Sequence, residues 1–278
     1  MRFGISTHIF HDRRLDRDHL AQIAGYGFDC IELFATRSHF DYHDAAAVEE
    51  LARWLDETGL QLHGVHAPIT DAFGVQGAVH YSNAAGAADR RQLAIREAEA
   101  ALAIARRIPF GIMVVHLGTP AKANPPDDNH RAHALRSLER LCEAAAPLAV
   151  RIAAEVIPNR LSDAASLAAL FDNDLDAKTA GICLDFGHAH LMGDVADAVE
   201  TAAEHLITTH VHDNHGREDE HLVPYLGSID WDLALVTMQK IGYDGTYLME
   251  LAGGGHPASI LEEARRARQK FERALTHA

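Results

Sequence analysis

Residues 179–211 read TAGICLDFGHAHLMGDVADAVETAAEHLITTHV. Two short apolar runs, 179–185 and 206–211, bracket an amphipathic stretch over 194–204. One run ends on Asp185 and the other on His210 and Val211. An apolar strand, a stretch of helical period and a second apolar strand form a unit whose strands can pair in parallel. The same alternation extends in both directions. Further strands are expected at 3–7, 29–34, 60–65, 110–116, 150–155 and 245–250. Further helices are expected at 16–26, 45–58, 87–107, 129–147, 162–171, 231–241 and 258–275. This repetition over 278 residues predicts an α/β fold, a single (β/α)8 TIM barrel with 1–278 as one domain. A doubly wound sheet is the alternative, but no GxGxxG follows the first strand.

Composition narrows the function classes. Hydrophobic residues make up 47% of the chain, enough for a core that buries roughly 75% of the unfolded surface. A formal charge of −15 disfavours broad contact with phosphate backbones or anionic membranes. Residues 1–10 lack the basic start and apolar run of a signal peptide, and no run of about 18 apolar residues would span a bilayer. Cys30, Cys142 and Cys183 are odd in number and form no CxxC, which predicts buried, reduced thiols in a cytoplasmic protein. Arg265, Arg266, Arg268, Lys270 and Arg273 lie on the last expected helix and are read as a solvated basic face.

The twenty histidines matter by position more than by number. The third expected strand runs into His66, the fourth ends on His116 and the fifth on Glu155. The sixth ends on Asp185 with His188 one turn beyond, the seventh carries His210, and the eighth ends on Glu250. The loop after the seventh strand adds Asp219 and His221. Alternate side chains of a strand share a face, so Glu155 lies with Ala153, Asp185 with Cys183 and Glu250 with Leu248, all suited to a barrel interior. Neighbouring strands lie about 4.8 Å apart, so their end residues can converge. Clustered carboxylates without a cation repel one another and are costly to desolvate. Glu155, Asp185, His210 and Glu250 are therefore expected to hold a divalent metal ion. His66, His116, Asp219 and His221 are expected as further ligands or substrate contacts, and His188 as a contact to substrate or a second ion. His190, His212 and His215 are open between supporting and exposed roles. The long loops 66–86, 117–128 and 212–230 all follow strands, on the face where barrel enzymes work. The first holds Gly74, Gly77, Gly86, Phe73 and Tyr81 and is expected to act as a lid.

The motifs GFDCIELF, LHGVHAP, MVVHLG, AAEVIPN, ICLDFGHAHLMGD, HVHDNHGREDEHLVPYLGSIDW and GTYLMEL together span nearly the whole chain. As a set they resemble the sugar phosphate isomerase/epimerase family, the xylose isomerase-like barrels that also include endonuclease IV. The ketose 3-epimerases of that family hold one Mn²⁺-like ion with two glutamates, an aspartate and a histidine. Matched motif by motif, these look like Glu155, Asp185, Glu250 and His210. The resemblance further implies that His188 and, more loosely, Arg217 bind substrate. Endonuclease IV holds three zinc ions, and its additional ligands match His66, His116, His188, Asp219 and His221.

The resemblance thus implies a metal-dependent isomerase or epimerase, or a related lyase, acting on a sugar or keto-sugar. A proton is removed beside a carbonyl polarised by the cation, with Glu155 and Glu250 as the acid/base pair. Manganese is the expected ion, with magnesium or zinc as alternatives. The alternative function is an endonuclease IV-like zinc phosphodiester hydrolase. Against it stand the acidic composition and the lack of a basic or aromatic wedge for opening a duplex. A sugar-binding or regulatory protein without turnover is a third reading. A small-molecule sugar, unphosphorylated for want of a phosphate loop, is the expected partner. Membrane and nucleic acid are not expected, and a homo-oligomer is compatible with the sequence.

Overall fold

Eight strands pair in parallel in chain order: β1 (Arg2–Ser6), β2 (Cys30–Phe34), β3 (Gln61–His66), β4 (Ile112–Val115), β5 (Arg151–Glu155), β6 (Ala180–Asp185), β7 (Leu206–Val211) and β8 (Thr246–Met249). β8 returns to β1, with Arg2 opposite Thr246 and Ile5 opposite Met249, so the sheet closes on itself. The structure is a computed structural model and describes residues 2–120, 128–173, 175, 178–253 and 256–276. Helices α1 (Arg17–Gly25), α2 (Ala45–Thr58), α3 (Ala88–Leu102), α4 (Arg131–Ala145), α5 (Ala164–Asn173), α6 (Phe186–Met192), α7 (Val195–Ala202), α8 (Trp231–Lys240) and α9 (Pro257–Thr276) lie between and after the strands. This is the single α/β TIM barrel expected from the alternation.

Strand side chains divide between two layers. Ile31, Leu33, Val65, Ile152, Ala154, Ile182 and Leu184 join the core between barrel and helices. Val114, Ala153 and Cys183 form a separate buried cluster. Since Ala153 and Cys183 lie two residues before Glu155 and Asp185, strand alternation carries both carboxylates to that inner face. All three cysteines are free and buried. No helix among the described residues is long and apolar enough to cross a membrane.

Several boundaries differ from the sequence reading. The helix expected over 87–107 ends at Leu102 and tightens into a 3-10 turn, Ala103–Arg106. The one expected over 129–147 ends at Ala145, because Pro147 has no N–H to continue the ladder. β4 covers only Ile112–Val115, leaving His116 just beyond it. α6 was not expected: seven residues are too few to show a helical period. Asp185 caps it by accepting from the His188 N–H at 2.6 Å, so the last residue of β6 sets the direction of His188. The basic run on α9 is only partly a solvated face. Arg268 donates to the Gly27 carbonyl and lies over the Phe28 ring, and the Lys270 ammonium sits 4.2 Å from the Tyr225 ring centre. Long cationic side chains can thus cover apolar surface with their stems.

Loops 67–87 and 212–230 on the C-terminal face are tied down. Loop 67–87 folds back on itself through an antiparallel bridge between Thr70 and His80. Residues 121–127 of the loop expected at 117–128 lie outside the described residues. Loop 212–230 is organised by the buried carboxylate of Asp213. Its Oδ1 accepts from the Asn214 and Ile229 N–H groups at 2.9 and 3.1 Å. Its Oδ2 accepts from the Tyr225 N–H at 3.0 Å and the Trp231 indole at 2.8 Å. Replacing Asp213 with alanine strands these donors. Asp213→Ala is expected to lower unfolding free energy by at least about 3 kcal/mol, since each lost bond to a charged acceptor is worth about 1.5–3 kcal/mol. It is also expected to open loop 212–230 to protease. Chemical denaturation and limited proteolysis check this, and a variant as stable and as resistant as the parent would contradict it.

Candidate metal centre at the barrel mouth

Glu155 closes β5 with its side chain wholly out of water. Its Oε2 lies 3.2 Å from His66 Nε2, at the end of β3, and 3.0 Å from His116 Nε2, just past β4. Its Oε1 lies 3.3 Å from His210 Nδ1 on β7 and 3.4 Å from His188 Nδ1 on α6. His210 Nδ1 also faces Glu250 Oε2 at 3.5 Å and Asp185 Oδ2 at 3.9 Å. Glu155, Asp185, His210 and Glu250 are all buried, and one donor atom from each lies within 4.8 Å of the others.

Three further groups adjoin this one. His66, His210 and Glu250 overlap it, sharing two of its members. His66, His116 and Glu155 form a flanking group that shares the Glu155 carboxylate. His188, His212, Asp219 and His221 form a second flanking group, with Asp219 Oδ2 at 3.0 Å from His188 Nε2 and 3.2 Å from His221 Nε2. The structure therefore brings together His66, His116, Glu155, Asp185, His188, His210, Asp219, His221 and Glu250. Arg217 does not join them: its side chain is exposed on loop 212–230 and is not part of the cavity wall. His190 is half-buried and paired with Ser228, and His215 is exposed and paired with Glu220. His212, whose role the sequence left open, is buried with Nε2 3.0 Å from Asp185 Oδ1. Gly187 makes this possible, because a Cβ there would run into the His212 ring.

The imidazoles share a pattern of hydrogen bonding. Nδ1–H of His66 donates to the Ala67 carbonyl, that of His188 to Val156 and that of His221 to Glu250. A carbonyl can only accept, so each tautomer is fixed and Nε2 is turned toward a carboxylate. His210 is inverted. Nδ1 faces the carboxylates and Nε2–H donates to Glu32 Oε2 at 3.1 Å.

The electrostatics are those of a site that demands positive charge. Burial alone would raise the Glu155 carboxyl, but the charges of His116 and His210 outweigh it and hold the group well below the usual carboxylate range. Burial is outweighed at Asp185 by His188 and His212 in the same way. Burial would lower the histidines, yet Glu155 lifts His66 to about 9 and Asp219 lifts His221 to about 9. Among the described residues, the ion pairs of Glu155, Asp185 and Glu250 are with imidazoles alone. The donor chemistry fits a divalent cation: three carboxylates and one imidazole in the central group, with histidine-richer groups on either side.

Above the central group opens a cavity of about 280 Å³. Glu155, Glu250, His188, Asp219 and His221 line its polar side, and Phe34, Ile69, Phe73, Tyr81 and Pro120 its apolar side. Phe73 on loop 67–87 packs edge-on against His8, His11 and Phe34 at ring separations of 5.5, 4.7 and 5.7 Å. Sequence reasoning missed His8 and Glu32. His8 lies in the 3-10 turn after β1, donates from Nδ1 to the Leu251 carbonyl at 3.0 Å and lines the cavity. It sits one residue past the end of the expected strand 3–7, so extending the reading of strand ends by one residue reaches it.

Comparison with known proteins agrees with the barrel fold. The chain is 28% identical over 258 residues to an uncharacterised protein of Methanocaldococcus jannaschii, covering 90% of this chain and 83% of that one. The crystal structure of a D-tagatose 3-epimerase-like protein superposes with a TM-score of 0.81 at 24% identity, covering 99% of this chain and 98% of that one. The IOLI protein, solved with a bound zinc atom, superposes with a TM-score of 0.76 at 16% identity over 99% and 98% of the two chains. At such identities the structural likeness establishes the shared fold. The sequence model of the family described as "Xylose isomerase-like TIM barrel" matches residues 20–271, and the chain belongs to that family.

Proposed function

We propose that this protein is a metal-dependent isomerase or epimerase acting on a sugar or keto-sugar. One observation carries the reading: Glu155 and Glu250 belong to the central ligand group and also face the same sugar-sized cavity. A bound divalent cation, Mn²⁺ by its oxygen-rich ligands, supplies Lewis acidity to a carbonyl and the hydroxyl beside it. Glu155 and Glu250 hold and move the proton at the adjacent carbon, one removing it and the other returning it. His188 and His221, fixed by backbone carbonyls and joined through Asp219, form the cavity's polar edge, and their Nε2 atoms reach a substrate hydroxyl only by exchanging the Asp219 contact for it. His8, in the turn after β1, lines the cavity beside Phe34 and Phe73, whose rings suit the C–H face of a sugar. Loop 67–87 carries Ile69, Phe73, His80 and Tyr81 to the cavity and keeps bulk water from the reacting carbon. The structural likeness to a D-tagatose 3-epimerase-like protein is consistent with this substrate class.

The test is a panel of keto-sugars in D₂O at saturating Mn²⁺, with deuterium incorporation beside the carbonyl read by NMR. The parent protein is expected to exchange at least one substrate. Glu155→Gln and Glu250→Gln are each expected to lose more than about 10²-fold, the lower end for general acid–base catalysis, while staying folded. A parent that exchanges nothing, or variants that both keep near-parental turnover, would sink the mechanism.

A second reading, a zinc phosphodiester hydrolase, is favoured by the two flanking groups, which could each hold a further ion. Metal stoichiometry separates the two. One tightly held ion per chain is expected here, and three ions with cleavage of a phosphodiester would replace the isomerase. The formal charge of −15 and the aromatic-walled cavity weigh toward a small neutral substrate.

A further inference from the structure

Among the described residues, Glu32 is a buried carboxylate that touches the centre through His210 yet belongs to none of the ligand groups there. It lies in β2, and the pairing of β2 with β3 shifts register between Ile31 and Glu32. Such a shift re-aims side chains locally. Ile31 and Leu33, on either side of it, belong to the outer core, so Glu32 projects to the inner face of the sheet. Its Oε2 accepts from His210 Nε2–H at 3.1 Å, while its Oε1 is buried with no hydrogen-bond partner.

A buried carboxylate with one orphaned oxygen carries a desolvation cost that has to be offset elsewhere. What it does for His210 explains its presence. His66, His188 and His221 have their outer nitrogens on carbonyls at strand ends or in loops. His210 lies within β7, between β6 and β8, where backbone carbonyls serve the ladder. Its outer nitrogen is left with a side chain as acceptor, and Glu32 is that side chain.

We propose that Glu32 is a positioning residue that fixes the His210 tautomer with the proton on Nε2 and turns the Nδ1 lone pair toward the cation. The inference rests on the reading that Glu155, Asp185, His210 and Glu250 hold that ion. A negative acceptor on the far nitrogen also makes the imidazole a stronger donor.

The probe is Co²⁺ added to chelator-stripped protein, with affinity measured by competition against a chromogenic chelator and the ligand field by visible absorption. Glu32→Leu removes the acceptor and the buried charge. It is expected to weaken Co²⁺ binding by about 10–100-fold, the usual cost of losing an outer-shell partner, and to change the cobalt spectrum. Glu32→Gln keeps an acceptor of the same length without the charge, and should fall between parent and leucine variant in affinity with a parental spectrum. It serves as the reading if the leucine variant fails to fold. A purely structural role would change melting temperature and leave both cobalt readouts alone. Parental affinity and spectrum in a folded Glu32→Leu, or parental affinity in Glu32→Gln where the leucine variant does not fold, overturns the inference while leaving the metal centre standing. A parent that binds no Co²⁺ overturns both.

Discussion

Positive charge held among buried carboxylates is the constraint on which the barrel mouth depends. Glu32, Glu155, Asp185 and Glu250 come from β2, β5, β6 and the end of β8, and all are out of water. Desolvating one such group costs several kcal/mol, and four within reach of one imidazole cannot coexist without compensation. Protonated histidines supply that compensation in the protein alone, which is why His66 and His221 rise to about 9. A divalent cation would supply it in a more compact form and would free the imidazoles to act as neutral ligands.

The scaffold fixes this cluster through backbone groups. Strand register sets Asp185 opposite His210 and Glu155 opposite Cys183. Carbonyls of Ala67, Val156 and Glu250 then choose the tautomers of three histidines. Asp213 gathers the loop that delivers Asp219 and His221. Loop 67–87 closes over the apolar side with Phe73, so charge and aromatic surface meet across one small cavity. A sugar has the same division, with hydroxyls at its edge and C–H groups on its face.

The barrel was legible because buried parallel strands are continuous apolar runs, and because the residues ending them were polar where packing had no use for polarity. The strand-end residues from His66 to Glu250 meet in space as the alternation implied. What stayed hidden has physical reasons. Glu32 sits mid-strand between apolar residues, where one carboxylate reads as an edge or surface feature until barrel closure places it beside His210. His8 follows a strand by two residues in a 3-10 turn too short to show any period. Arg217, matched by loop position, is exposed on loop 212–230 and is not among the residues that line the cavity. The short α6, which aims His188, depends on a cap rather than on an amphipathic pattern.

The most direct measurement is an anomalous-difference map from crystals of the protein grown with Mn²⁺. The account expects one strong manganese peak bounded by Glu155, Asp185, His210 Nδ1 and Glu250. A map with no peak there, or with manganese bound only elsewhere, would contradict it.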